Sequence, residues 1–190
     1  MGNLTDFFAA SVGGGVLEQI SGICDGRTVT TFRGSYTLAN VSSQQTLTTT
    51  HTRITGSNID YTPPTGTTHV RYEFDYKRNY KDLYQLYHFG FHIDGTEATI
   101  FRHSTYTYEA GNNRDIEGER YTVVINIEGS SDDVANGKLA SWTSDKTLEI
   151  KGRNYGTSYE TYLHGLVYWD GTNASGMTIE RPRLTITAIG

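Results

Sequence analysis

The sequence predicts an all-β fold. Three observations carry the prediction: strict alternation of apolar and charged residues, turn signals at short intervals, and a composition suited to strands. Val70, Tyr72, Phe74 and Tyr76 fall on one face of an extended segment, and Arg71, Glu73, Asp75 and Lys77 on the other. Side chains in a strand alternate with a period of two, so the segment reads as a strand with one face in a core and one in water. The same pattern returns at Tyr87, Phe89, Phe91 and Ile93, at Tyr121, Val123, Ile125 and Ile127, and at Leu184 and Ile186. Among 190 residues, tyrosine numbers 14 and glycine 21, while proline numbers 3. Tyrosine suits pleated, half-buried surfaces, and glycine serves turns that need positive φ.

Taken in order, strands are expected near 16–20, 27–38, 45–54, 69–77, 84–93, 97–106, 119–128, 146–153, 161–169 and 183–189. Asp25-Gly26 and Asp94-Gly95 are hairpin signals, and Asp170-Gly171 is a third turn of that kind. Pro63-Pro64-Thr65-Gly66 ends one strand and launches the next, and the polar stretch 129–137 reads as a surface loop. Many short strands with short connections indicate a sandwich or a barrel. The segment 163–169 departs from the pattern. Leu163, Gly165, Val167 and Trp169 are apolar, and so are Leu166 and Tyr168 on the opposite face. A strand apolar on both faces is covered on both, by another subunit or by a loop of its own chain.

Residues 1–15 stand apart from this body of 16–190. Leu4, Phe7, Phe8 and Val12 make a short apolar stretch in which Thr5 or Asp6 could cap one helical turn. Gly13-Gly14-Gly15 then reads as a flexible joint. The expectation is an anchoring arm on a hinge, with a partner chain as the simplest thing to hold it.

Composition excludes several roles. Acidic and basic residues are interspersed around a net charge of −5, which leaves no basic stripe for direct contact with nucleic acid. No apolar run is long enough for a transmembrane helix, and the N-terminus does not read as a signal peptide. A membrane partner is not expected. Cys24 is the only cysteine and is expected to be a small buried residue rather than a reactive thiol.

Catalytic and metal signals are weak. His88 and His92 are four apart, which in a strand places them roughly 13 Å from each other, too far for one zinc. His51, His69, His103 and His164 are scattered singly. There is no G-x-S-x-G elbow, and Gly13-Gly14-Gly15 lacks the Gly-Lys-Ser/Thr of a phosphate cradle. Asp132-Asp133, Asp94 and Asp170 are carboxylates in turns. A glycosidase pair would have to be assembled from distant strands. No metal, cofactor or catalytic residue is expected. Two tyrosine groups invite attention: Tyr76, Tyr80, Tyr84 and Tyr87, and Tyr106, Tyr108, Tyr155, Tyr159 and Tyr162. Each can serve the core, a subunit interface or sugar stacking.

Three stretches carry a family resemblance: Val16-Leu-Glu-Gln-Ile-Ser-Gly-Ile-Cys-Asp-Gly-Arg, Ile59-Asp-Tyr-Thr-Pro-Pro-Thr-Gly-Thr-Thr-His-Val-Arg-Tyr-Glu-Phe, and the closing Arg181-Pro-Arg-Leu-Thr-Ile-Thr-Ala-Ile-Gly. Together they resemble structural proteins of tailed bacteriophages, those of marine phages in particular, including head-decoration (cement) proteins and tail-fibre knobs. The resemblance implies an antiparallel, jelly-roll-like β-sandwich akin to tumour-necrosis-factor-like knobs, forming a homotrimer, with no enzyme activity and no cofactor. Fibre proteins carry a long repetitive shaft, and this chain has none. The expected function is a capsid cement protein on the virion surface, bound to the major capsid protein or another virion protein. Leu4, Phe7, Phe8 and Val12 are the expected anchors. Tyr162, Leu166, Tyr168 and Trp169 are the expected subunit contacts. The alternatives are a short tail fibre or receptor-binding knob, a carbohydrate-binding module with a host glycan as partner, and a virion-bound glycan hydrolase.

Overall fold

A computed structural model describes residues 14–80, 84–108, 116–166 and 178–190. The anchor residues Leu4, Phe7, Phe8 and Val12, the contacts Tyr168 and Trp169, and the Asp170-Gly171 turn lie outside them.

The chain runs β1 (Val16–Ile23), β2 (Thr28–Thr30), β3 (Ser35–Thr37), β4 (Gln45–Thr46), β5 (Thr52–Arg53) and β6 (Ile59–Tyr61). It continues through the long strands β7 (His69–Tyr80), β8 (Tyr84–Ile93), β9 (Thr96–Tyr108) and β10 (Ile116–Ile127). Then come β11 (Lys138–Leu139), β12 (Lys146–Asn154), β13 (Thr161–Leu163), β14 (Gly165–Leu166), β15 (Thr178–Ile179) and β16 (Arg183–Ile189). The only helical piece among the described residues is a single 3-10 turn at Val134–Asn136. None of their helices is long and apolar enough to cross a membrane.

Two sheets form an all-β sandwich. The larger has the order β1-β16-β7-β10-β11, with β13 continuing along β7 beyond β16 and β4 pairing β13. The smaller has the order β5-β12-β8-β9, with β6 also on β12. Pairing is antiparallel except for the short parallel contact of β10 with β11. The alternating residues meet between the sheets. Tyr72 packs edge-on against Phe91 at 4.9 Å, and Tyr76 lies 5.8 Å from Phe89. Val70, Tyr72, Phe74, Phe91, Ile125, Leu184 and Ile186 are all fully buried. The predicted faces of these strands are the observed ones.

Turn chemistry explains the connections. Asp94 and Gly95 both take positive φ, 50° and 79°, and link paired Ile93 and Thr96 in a two-residue hairpin. Gly66, with φ 91°, closes a turn in which the Thr67 amide donates to the Pro64 carbonyl.

Four expectations are corrected. Asp25-Gly26 is no hairpin tip: the chain bends there with Gly26 at φ 85° and stays extended, Asp25 bridging Asn40 and the Leu38 amide donating to Arg27. The fold-back comes later, where the Thr31 amide donates to Gly34, so 27–38 is a hairpin of β2 and β3 rather than one strand. The expected strand 45–54 is two short pieces, β4 in the larger sheet and β5 in the smaller. The expected strand 161–169 breaks at His164, whose φ of 66° turns the chain out of the sheet. The backbone leaves along β7 at Lys77 and returns at Arg183 beside Asp75. The pair β14–β15 forms the base of that excursion.

Candidate functional site

Strand register fixes the two ends of the sandwich. Val16 pairs Ile189, and Ile189 pairs His69, so the start of β1, the end of β16 and the start of β7 share one end. The Gly190 amide donates to the Gly15 carbonyl at 3.0 Å, which places residue 15, the last residue of the expected arm and so its root, at this end. Arg78 lies nine residues along β7 from His69, roughly 30 Å away at a strand's rise.

At the arm root the β2–β3 hairpin folds against β1. Glu18 points inward and is almost fully buried. It accepts hydrogen bonds from Thr31 at 2.7 Å and from the Tyr61 hydroxyl at 3.0 Å. Burial, then the adjoining Glu18 carboxylate, pushes the Tyr61 phenol far above its ordinary range. Tyr61 is wedged between Tyr36 at 5.7 Å and Trp142 at 5.9 Å. This packing holds the hairpin in place and leaves its tip residue, Phe32, fully exposed. Leu17, Phe32 and Pro64 supply the apolar lining of a cleft of about 350 Å³ there, with Arg33 on its rim. Val16 and Leu17 are 65% and 45% exposed, so large apolar side chains face outward at the start of β1, next to the expected arm.

Of the four expected subunit contacts, Tyr162 is the one whose side chain is described. It sits on β13, half-buried, and its hydroxyl donates to Glu160 at 2.6 Å. Leu166 is placed by its backbone on β14. The break at His164 means that Tyr162 and Leu166 stand on different short strands in different sheets.

The opposite end holds a polar cluster that the sequence reading missed. On β7 the inward series Val70, Tyr72, Phe74, Tyr76 continues to Arg78, which is 3% exposed. On β10 the inward series begins with Glu117 and Glu119, which pair in register with Arg78 and Tyr76. The Arg78 guanidinium donates to Glu119, Glu117 and the Gln85 side chain, and lies 5.5 Å over the Tyr87 ring. Glu119 also accepts the Tyr76 hydroxyl at 2.5 Å and that of Tyr87 at 2.8 Å. Burial alone would raise the Glu119 carboxyl; the Tyr76 hydroxyl, Arg78 and Tyr87 outweigh it and hold it below its usual range. With its oxygens so committed, Glu119 ties three strands together. Part of the signal was available: parity carried along β7 and β10 puts Arg78, Glu117 and Glu119 on the core face.

The remaining candidates resolve individually. His88 and His92 lie on β8, each bonded locally: His88 Nδ1 to the Ser104 hydroxyl at 2.6 Å and His92 Nδ1 to the Gly95 carbonyl at 3.1 Å. The described residues contain no cluster of three metal-ligating side chains. Cys24 is fully buried, its Sγ donates to the Gly56 carbonyl at 3.3 Å, and burial pushes the thiol up to about 12. Asp94 accepts the Thr147 amide and pairs with Lys146, both on β12, Asp132 accepts the Ala140 amide and Asp133 the Asn136 side chain, so each carboxylate is held by a structural contact. Tyr76 and Tyr87 are core residues, whereas Tyr106 and Tyr155 are more than half exposed. Tyr155 meets Tyr159 and His88 edge-on on the outer face of the smaller sheet.

Set against family models, curated proteins and solved structures, the chain matches none of them.

Proposed function

We propose that this chain is a non-enzymatic structural protein of a tailed-bacteriophage virion: a cement protein that decorates the capsid as a homotrimer, with a jelly-roll-like body and residues 1–15 as its anchor. The observation that carries this reading is the concentration of exposed apolar surface at the arm root. Val16, Leu17 and Phe32 stand in water around the position where an apolar arm begins. Contiguous exposed apolar side chains mark a surface that is covered in use. The fit is to a partner that receives arm and body end together, the major capsid protein or another virion protein.

Magnitudes favour several attachments acting at once. Fully burying Phe32 contributes about 1.5–3 kcal/mol, as does each of Phe7 and Phe8. Ordering an arm costs about 1–2 kcal/mol per backbone residue. One arm is therefore a weak clamp, and an oligomer presenting several gains by effective concentration. The doubly apolar strand that first suggested an oligomer is interrupted at His164, so the trimer rests on this reasoning and on the family resemblance.

A density map of the particle that carries the protein tests the proposal. It should place hundreds of copies on the shell, each with its Gly15–Gly190 end inward. The double variant Phe7→Ser, Phe8→Ser should fold normally and be lost from particles. A few dozen copies at a tail tip would replace cement with a fibre knob, and wild-type occupancy by the double variant would overturn the anchor.

A further inference from the structure

Outside the arm root, the outer face of the larger sheet carries a cleft of about 760 Å³ near the base of the β14–β15 excursion. Its floor is a cross-strand row. Arg183 on β16 pairs Asp75 on β7, which pairs Arg120 on β10. Gly118 sits opposite Lys77 and keeps the floor open, since a side chain there would meet the Lys77 ammonium at 3.2 Å. One wall is Ile179, Glu180 and Arg181, where the chain returns to the sheet.

Among the described residues the lining carries four cationic and four acidic side chains, but the acids are already engaged, Glu119 by Arg78 from the core side. Asp75 is paired with Arg120 at 2.5 Å, and Asp25 with Arg27 at 2.6 Å. Glu180 faces Lys77 at 3.9 Å. Arg181 and Arg183 have no ion pair among the described residues. Two guanidiniums are thus left over in a concave site on a chain whose net charge is −5. A guanidinium's planar fork matches a carboxylate bidentately.

We infer that this cleft binds an acidic saccharide, with Arg181 and Arg183 holding uronic-acid carboxylates. The volume lies in the range of small-ligand clefts. The paired carboxylates retain lone pairs that accept sugar hydroxyls, so donors and acceptors alternate along the floor, as a polyhydroxylated acid requires. A peptide fits less well. The strands of the floor are paired to one another, so their backbone groups are taken, and among the described residues Ile23 and Ile179 are the only aliphatic side chains in the lining. The inference is independent of capsid attachment, which uses the arm-root end.

Calorimetry on the purified full chain tests it with trigalacturonate, neutral maltotriose and a hexaglutamate peptide. Trigalacturonate should bind saturably and weaken as salt is raised. The Arg181→Gln, Arg183→Gln variant should keep its melting temperature and lose at least about tenfold in affinity. Arg33→Gln, at the other cleft, should bind like the wild type. Any of four results overturns the inference: no binding of trigalacturonate, equal binding of maltotriose, equal or tighter binding of hexaglutamate, or a loss with Arg33→Gln matching that of the double variant.

Discussion

Replacing Arg78 with methionine tests the internal polar cluster most directly. Methionine keeps the unbranched stem and removes the charge and every donor. The guanidinium is 3% exposed and serves Glu119, Glu117 and Gln85. The Glu117 side chain is 42% exposed, so its share of the loss is small. Glu119 is only 19% exposed and would be left without its counter-charge. Breaking a buried pair from one side costs about 3–5 kcal/mol, and the remaining exposure of Glu119 points to the lower end, about 3 kcal/mol. The pH dependence gives the loss a signature. In the wild type Glu119 is held below its ordinary range, so it stabilises the fold above the unfolded carboxylate range, and that contribution fades as pH falls. In the variant the Arg78 charge and hydrogen bond are gone while the Tyr76 and Tyr87 hydroxyls remain, so the carboxyl rises from its wild-type position, and the penalty is greatest at neutral pH and is relieved by protonation. Urea unfolding at pH 7.5, 6 and 5, followed by circular dichroism, should show a deficit that shrinks with acid. Arg78→Met, Glu119→Leu should recover at least half of it, because an apolar replacement of both partners leaves no stranded charge. A deficit under about 1 kcal/mol at pH 7.5, or one that does not change with pH, would refute this account.

Three further outcomes are expected. His164 is fully buried, neither ring nitrogen meets the geometry of a hydrogen bond among the described residues, and burial depresses its pKa to about 4 against an opposing pull from the Thr55 backbone. Its neutral form is the one the fold accepts, so stability is complete above the unfolded value near 6.5 and falls by up to about 3 kcal/mol as pH drops to 4; His164→Asn, which tolerates positive φ, should flatten the urea midpoint between pH 6.5 and 4.5. Gly152→Ala would bring a Cβ within 2.4 Å of the Phe89 ring and 2.9 Å of Ile54, and the overpacking should cost about 1–3 kcal/mol, read as a lower melting temperature. Cys24 should resist a thiol-specific disulfide reagent in the native protein and react at once in denaturant; fast native labelling would contradict its burial.

What could be read from the sequence depended on repetition and local chemistry. Strands β7, β8 and β10 are long enough for period two to show, and positive φ at Asp94 and Gly95 is what that dipeptide favours. The two-residue strands β4 and β5 have no period, and nothing local says that the chain changes sheets between them. At 162–169 His164 is the one polar residue in an otherwise apolar run, and nothing in its neighbours signals that it takes the left-handed conformation. The Arg78 cluster was half legible. Parity places Arg78, Glu117 and Glu119 inward, but only the register joins them. The unpaired Arg181 and Arg183 depend on which carboxylates their neighbours have claimed, and that is a tertiary fact.

The hydrogen bond from Gly190 to Gly15 has an architectural consequence. The body begins and ends at a single point, with its first and last strands, β1 and β16, zipped together along their length. A chain of this shape behaves as a plug-in part. It can be spliced into a surface loop of an unrelated host without prising the insertion site apart, because the gap it must bridge is no wider than a strand spacing, about 4.8 Å. By the same geometry a short linker joining residues 190 and 15 should allow new ends to be cut at the exposed Asp94-Gly95 turn, leaving the sandwich intact as a circular permutant.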